Sequence, residues 1–238
     1  MIKAILFDKD DTLIDLAAFW RAPVLALARE AAAEDGFPCT PAWEEAVLTA
    51  CGIEGDGARD GSPIVSGTDL DTAKALNPLL LERNLPPIDP VRYAKILEEA
   101  SRTGHVVPKF GEDFALWFSR WKAQGLLVGL VSSDRKEICR YCLEQLRILQ
   151  DFDVLCTDGQ GYPPKPDPAM GAAFLEAYSL SPEEAVFVGD SANDMRFAKN
   201  AGIYGLLFRR PVPPALPEGA DAGASCCRDI DAWIRQHG

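Results

Sequence analysis

Lys3-Ala4-Ile5-Leu6-Phe7-Asp8-Lys9-Asp10-Asp11-Thr12-Leu13 opens the chain with a short apolar run that stops abruptly at a cluster of acidic residues. A buried parallel strand reads this way where it reaches the polar edge of a sheet. Four later segments repeat the pattern: residues 126–131 ending at Ser132-Ser133, 153–156 ending at Thr157-Asp158, 185–188 ending at Gly189-Asp190, and 204–208. Between them the apolar spacing predicts helices over residues 113–124, 135–149, 168–178 and 194–201. Strands alternating with helices imply an α/β fold, a doubly wound parallel sheet with helices on both faces. Ligands of such folds bind beyond the carboxyl ends of the strands, and every strand end here except the last carries polar residues suited to that place.

Residues 16–104 break this rhythm. They read as helices over residues 17–34, 41–50, 69–77 and 90–101, separated by Gly and Pro clusters. The organisation expected is a core from residues 1–15 and 105–238, with 16–104 inserted after the first strand as a helical domain. The Gly- and Asp-rich stretch 55–67 is expected to be irregular, and the polar run 62–68 to be a flexible loop that either joins two helices or faces substrate. A helical insert on two connections is expected to swing as a lid and to favour small substrates.

The 238 residues suffice to bury a full core, and 47% apolar with 25% charged residues is ordinary for a globular protein. With 36 acidic against 24 basic side chains, the formal net charge is -12. Such a surface repels nucleic acid and anionic lipid, so neither is expected as a partner, and an anionic substrate needs a local positive site. No apolar run approaches the ~20 residues of a spanning helix, and Ile5-Leu6-Phe7 is too short for a signal-peptide core; the expected location is cytoplasmic. The seven cysteines include one C-x-x-C pair, Cys139 and Cys142, inside a helical pattern rather than at a helix start, so reduced, half-buried thiols and no structural metal are expected. His105 reads as a hinge or surface residue and His237 as part of the tail. Trp117, Trp121 and Trp233 read as helix packing, and Trp20 and Trp43 as core of the insert.

D-x-D-x-T alone is weak, since about one chain in twenty of this length carries it by chance. Individually, Asp8 and Asp10 could be strand-end carboxylates, Ser132 a helix cap and Lys165 an exposed loop lysine. Their order argues otherwise: Asp8 to Leu13 after the first strand, then Ser132-Ser133, then Lys165 in Pro163-Pro164-Lys165-Pro166-Asp167-Pro168, then Gly189-Asp190-Ser191-Ala192-Asn193-Asp194. This set resembles the four motifs of the haloacid dehalogenase-like superfamily, over about residues 1–15 and 105–238, and the insert resembles that family's cap, most like the phosphoglycolate phosphatase-like branch. The resemblance implies a Rossmann-like core and a phosphatase of small phosphorylated metabolites.

It also implies roles. Asp8 would be the nucleophile that becomes an aspartyl-phosphate, and Asp10 the acid and then base. Ser132 and the Ser133 N–H, expected at a helix start, would hold phosphoryl oxygens, and Lys165 would supply a fixed cation. A Mg2+ cofactor would be bound by Asp8, the Asp10 carbonyl and Asp190. Asp194 would orient the metal's waters or Lys165, and Thr12 would stabilise the turn carrying Asp10. Asp11 departs from the family's frequent Gly and is expected to add negative charge at the rim. Within the superfamily a dehalogenase has no use for Asp10, a phosphonate hydrolase would need a lysine such as Lys74 or Lys95, and a sugar phosphomutase shares the motifs. A phospho-accepting signalling module lacks room for the insert.

Overall fold

The computed structural model describes residues 1–158 and 160–237, and for Ser66 and Asp158 the backbone alone. The chain forms two compact units, Met1–Asp15 with Val107–Gly238, and Leu16–Val106. In chain order the first unit begins with β1 (Ala4–Phe7). The second holds α1 (Leu16–Glu34), α2 (Pro41–Cys51), the strands β2 (Ile53–Glu54) and β3 (Gly57–Ala58), α3 (Pro63–Ser66), α4 (Asp69–Lys74), α5 (Asn77–Leu81) and α6 (Pro90–Ser101). The first unit resumes with α7 (Phe114–Ala123), β4 (Leu127–Arg135), α8 (Lys136–Gln145), β5 (Val154–Asp158), α9 (Ala169–Tyr178), β6 (Ala185–Gly189), α10 (Ala192–Ala201), β7 (Tyr204–Phe208), β8 (Ala222–Ala224) and α11 (Cys227–Gln236).

The sheet order is β5-β4-β1-β6-β7-β8, and every pairing is parallel. Strand alternation sends successive side chains of β1 to opposite faces. Ala4 and Leu6 join Met170 and Phe174 of α9 and Met195, Phe197 and Ala198 of α10 in one buried cluster. Phe7 turns the other way, its ring centroid 5.0 Å from Phe118 and 5.8 Å from Trp121 of α7. The sheet is thus covered on both faces, which is the doubly wound architecture the alternation of elements predicted.

Three boundaries differ from expectation. The strand read as ending at Ser132 continues to Arg135 with a register shift after Val131. The following helix therefore starts at Lys136, and it stops at Gln145 rather than at 149, with a 3-10 turn at Leu149–Asp151 beyond it. α10 starts two residues early because Ser191 caps it, its hydroxyl accepting from the Asp194 N–H at 3.1 Å. The edge strand β8, Ala-Gly-Ala, was not anticipated, nor were the bounds of α11 around Trp233, and β8 has none of the β-branched or aromatic residues that mark a strand.

In the second unit, the stretch expected to be irregular is mostly turns, with two short regular pieces. It holds β3, which pairs with β2 just before it, and α3, with Ser62 buried against Gly52, where an added Cβ would lie 2.1 Å from the Ser62 Cβ. Gly52 also closes α2 in the left-handed conformation, φ 104°. Thr68 and Asp71 form a capping box at the start of α4. The run 62–68 is therefore a turn of helix and a cap, because Pro63 supplies a helix start and Thr68 the next one. The helix expected over 69–77 divides into α4 and α5. Trp43 is buried and its indole N–H donates to the Ala28 carbonyl at 2.7 Å.

All seven cysteines are free; Cys139 and Cys142 are buried on α8, and burial pushes the Cys142 thiol up to about 12. His105 is exposed, and His237 stacks on Trp233 with centroids 3.9 Å apart. Among the described residues no helix is long and apolar enough to cross a membrane.

Phe7 ties the central strand to α7, so Phe7→Ala should lower unfolding free energy by about 3–5 kcal/mol, the usual cost of emptying a buried aromatic site. Urea denaturation checks this; a loss under about 1 kcal/mol would mean the β1–α7 contact carries little of the core.

Candidate active site

The parallel register assembles the site. Phe7 lies opposite Leu130 of β4 on one side and Val188 of β6 on the other, so the chain leaves β1 between those two strand ends. The Asp8 N–H still donates to the Val188 carbonyl at 2.9 Å. Ser132 stands two residues beyond Leu130 and Asp190 two residues beyond Val188, which puts both beside Asp8 at one sheet edge.

Lys165, in the loop between β5 and α9, reaches in from the side. Its Nζ is 2.5 Å from Asp8 Oδ1 and 2.6 Å from Asp194 Oδ1, and only 6% of its side chain is exposed. Its backbone is held too, since the Asn193 side-chain amide donates to the Lys165 carbonyl at 3.1 Å. Asp194 is the third residue of α10, and its other oxygen accepts from the Ser191 N–H at 3.1 Å and the Ser191 hydroxyl at 2.6 Å. Gly189 makes room for this carboxylate, because a Cβ there would stand 2.5 Å from the Asp194 Cβ.

One oxygen from each of Asp8, Asp190 and Asp194 falls within 4.8 Å of the others. Burial pushes the Asp8 carboxyl up to about 6 despite Lys165, with Asp194 adding to the rise. Burial also raises Asp190 well above the carboxylate range, helped by Asp194, Asp8 and Asp11. Burial by itself would lower Lys165, but Asp194 and Asp8 overcome it and raise it. Three carboxylates against one ammonium leave an excess of negative charge on hard oxygen donors, a set that fits a divalent cation such as magnesium. Lys165 and Ser191 engage both oxygens of Asp194, so Asp8 and Asp190 are the carboxylates best disposed to meet a cation directly.

Asp10 points elsewhere. Lys9, fully buried, has its Nζ 2.6 Å from Asp10 Oδ1 and 2.8 Å from Asp134 Oδ2. Burial pushes Asp10 up to about 7, with Asp134 and Asp8 adding to the rise and Lys9 opposing it. Ser132 is buried and its hydroxyl accepts from the Asp134 N–H at 3.2 Å.

Three expectations change. Ser133 is exposed within β4 rather than at a helix start, since the helix begins three residues later. The Thr12 hydroxyl is buried without a hydrogen-bond partner among the described residues; the turn is held instead by the N–H groups of Leu13 and Ile14, which donate to the Lys9 carbonyl at 2.9 and 3.1 Å. Asp11 does sit at positive φ, 55°, where glycine is favoured, but its carboxylate is paired with Lys109, which also lies 3.5 Å from Asp15. Its charge is therefore compensated at the rim. Lys9, Asp134, Lys109 and Asn193 were not singled out. A lysine inside an otherwise buried D-x-D turn was the one available signal; Lys109 lies too far along the chain from Asp11 to give any.

A family model described as haloacid dehalogenase-like hydrolase matches residues 2–202. The phosphoglycolate phosphatase of Vibrio cholerae is 31% identical over 227 residues, covering 91% of each chain. That of Escherichia coli K12 is 30% identical over 236 residues, covering 91% of this chain and 87% of the relative. Among solved structures, Bacillus subtilis YfnB with magnesium bound aligns with a TM-score of 0.70 at 19% identity over 98% of both chains, a likeness of fold.

The acidic cluster makes a prediction about stability. Asp8 and Asp190 hold protons more tightly in the folded, metal-free protein than unfolded, so their contribution is present below about pH 4 and lost as pH rises through their raised folded values, about 6 for Asp8. Without metal, Asp190→Asn should therefore melt at or above the parent from neutral to alkaline pH, with the gap closing towards about pH 4. Saturating magnesium should erase or invert the gap, since it binds the folded parent better. Thermal melts across pH check this; a variant less stable than the metal-free parent at neutral pH would contradict it.

Proposed function

Because this chain belongs to the haloacid dehalogenase-like hydrolases, we propose that it is a phosphatase that hydrolyses a small phosphomonoester, phosphoglycolate or a close analogue, through an aspartyl-phosphate on Asp8. The observation that carries the reading is Lys165, a buried cation shared by Asp8 and Asp194 at the carboxyl end of the sheet. A phosphate dianion is repelled by a carboxylate nucleophile, so a site for this reaction must hold positive charge where the phosphoryl group transfers.

In the first half-reaction an Asp8 oxygen attacks phosphorus in line and the ester bond breaks. Asp10, which burial holds up to about 7, can be protonated near neutral pH and gives its proton to the departing alkoxide. In the second, Asp10 takes a proton from the water that cleaves the aspartyl-phosphate, returning Asp8 and releasing phosphate. The Ser132 hydroxyl donates to a phosphoryl oxygen, and Lys165 offsets charge on both the phosphoryl group and Asp8. Asp194 keeps Lys165 in place, and Gly189 keeps Asp194 in place. Asp8, Asp190 and the Asp10 carbonyl would hold magnesium, which would supply the remaining positive charge that lets the dianion approach. The phosphoglycolate phosphatases similar over 91% of the chain support the substrate class.

Asp8→Asn should abolish phosphate release in a chain that still folds, and excess EDTA should abolish activity that added magnesium restores. Residual turnover within about tenfold of the parent would overturn the nucleophile assignment, because about 1.4 kcal/mol is far less than a nucleophile contributes. A product that is an isomer of the substrate, made only with a bisphosphate present, would mark a mutase instead.

A further inference from the structure

We infer that Lys9 and Asp134 form a buried strut that positions the Asp10 carboxyl for proton transfer, a role that rests on the acid–base reading of Asp10 above. Lys9 occupies the middle position of D-x-D, where a side chain carries no part of the chemistry, and yet it is fully buried and charged. A buried ammonium is costly unless matched by opposite charge. Here the match is divided: one end of the span is Asp10 Oδ1 at 2.6 Å and the other is Asp134 Oδ2 at 2.8 Å. Asp134 in turn belongs to β4 near Ser132, and its N–H donates to the Ser132 hydroxyl at 3.2 Å. The register shift between Val131 and Arg135 is what sets residues 132–134 apart from the regular ladder with β5. One residue therefore touches both the holder of the acid and the phosphate-binding hydroxyl.

The geometry matters because a general acid must stand within hydrogen-bond reach of the leaving oxygen, and an aspartate has two free torsions with which to miss it. Lys9 by itself could follow Asp10 as it rotates. Anchored to Asp134, it cannot. Lys9 touches neither phosphorus nor leaving group in this scheme, so it is a positioning residue, and Asp134 is the anchor of that residue.

Leaving-group dependence separates this role from a purely structural one. Expulsion of p-nitrophenolate needs little protonation, whereas the alkoxide of phosphoglycolate needs a proton at once, so an ill-placed acid penalises the alkyl ester selectively. The ratio of kcat/KM for phosphoglycolate to that for p-nitrophenyl phosphate should fall about tenfold in Asp134→Asn and further in Lys9→Met. If Lys9→Met does not fold, Asp134→Asn, which retains Lys9 beside Asp10, gives the answer alone. Equal losses on both esters, or none, would overturn the strut. Asp10→Asn is the control: if it lowers the ratio and Asp134→Asn does not, the strut fails and the acid–base reading stands, while a parental ratio in Asp10→Asn overturns both.

Discussion

The rest of the site depends on one buried cation between two carboxylates. Lys165 is drawn into the sheet edge by Asp8 from β1 and Asp194 from α10, and neither acid could sit there alone at neutral pH without a large cost. Removing one member of such a buried pair typically costs about 3–5 kcal/mol, because the other is left charged and unsatisfied. That constraint explains the neighbouring features. Gly189 has no side chain because Asp194 fills the space a Cβ would need, Ser191 holds the carboxylate oxygen that Lys165 does not, and Asn193 ties down the Lys165 backbone.

The same device recurs around the first turn. Lys165 spans Asp8 and Asp194, Lys9 spans Asp10 and Asp134, and Lys109 spans Asp11 and Asp15. Each aspartate of the Asp8–Asp11 run thus meets a lysine, and each lysine meets a second carboxylate. A chain with a net charge of -12 places scarce cations where acidic groups crowd. The compensation remains partial at Asp8, Asp190 and Asp194, where burial still raises the carboxyls of the first two. Such an excess of negative charge on hard oxygens suits a hard cation by simple electrostatics.

Much of this was legible in the linear chain because it depends on local pattern. An apolar run ending at acids is a buried strand meeting a sheet edge, and strand–helix alternation leaves few topologies other than a doubly wound parallel sheet. Thr12 and Ser133 were misread because each reading assumed local turn or helix chemistry, and Asp11 because its charge was taken as uncompensated. The irregular register of β4 carried Ser133 away from a helix start, backbone hydrogen bonds held the turn without Thr12, and a lysine distant in sequence neutralised Asp11.

The sequence by itself determined most of the order of elements, the ends of β1 and β6 and the identity of the acids, since hydrophobic periodicity and capping act over a few residues. Tertiary structure decided the ion pairs that no motif implied, Lys9 with Asp134 and Lys109 with Asp11. Ion pairs are made by proximity in space, and Asp8 and Lys165, 157 residues apart, come within 2.5 Å only because parallel pairing brings the ends of β1, β4 and β6 to one edge. Burial then sets their protonation, because the low dielectric that moves Asp8 to about 6 and Asp10 to about 7 exists only once the core has formed.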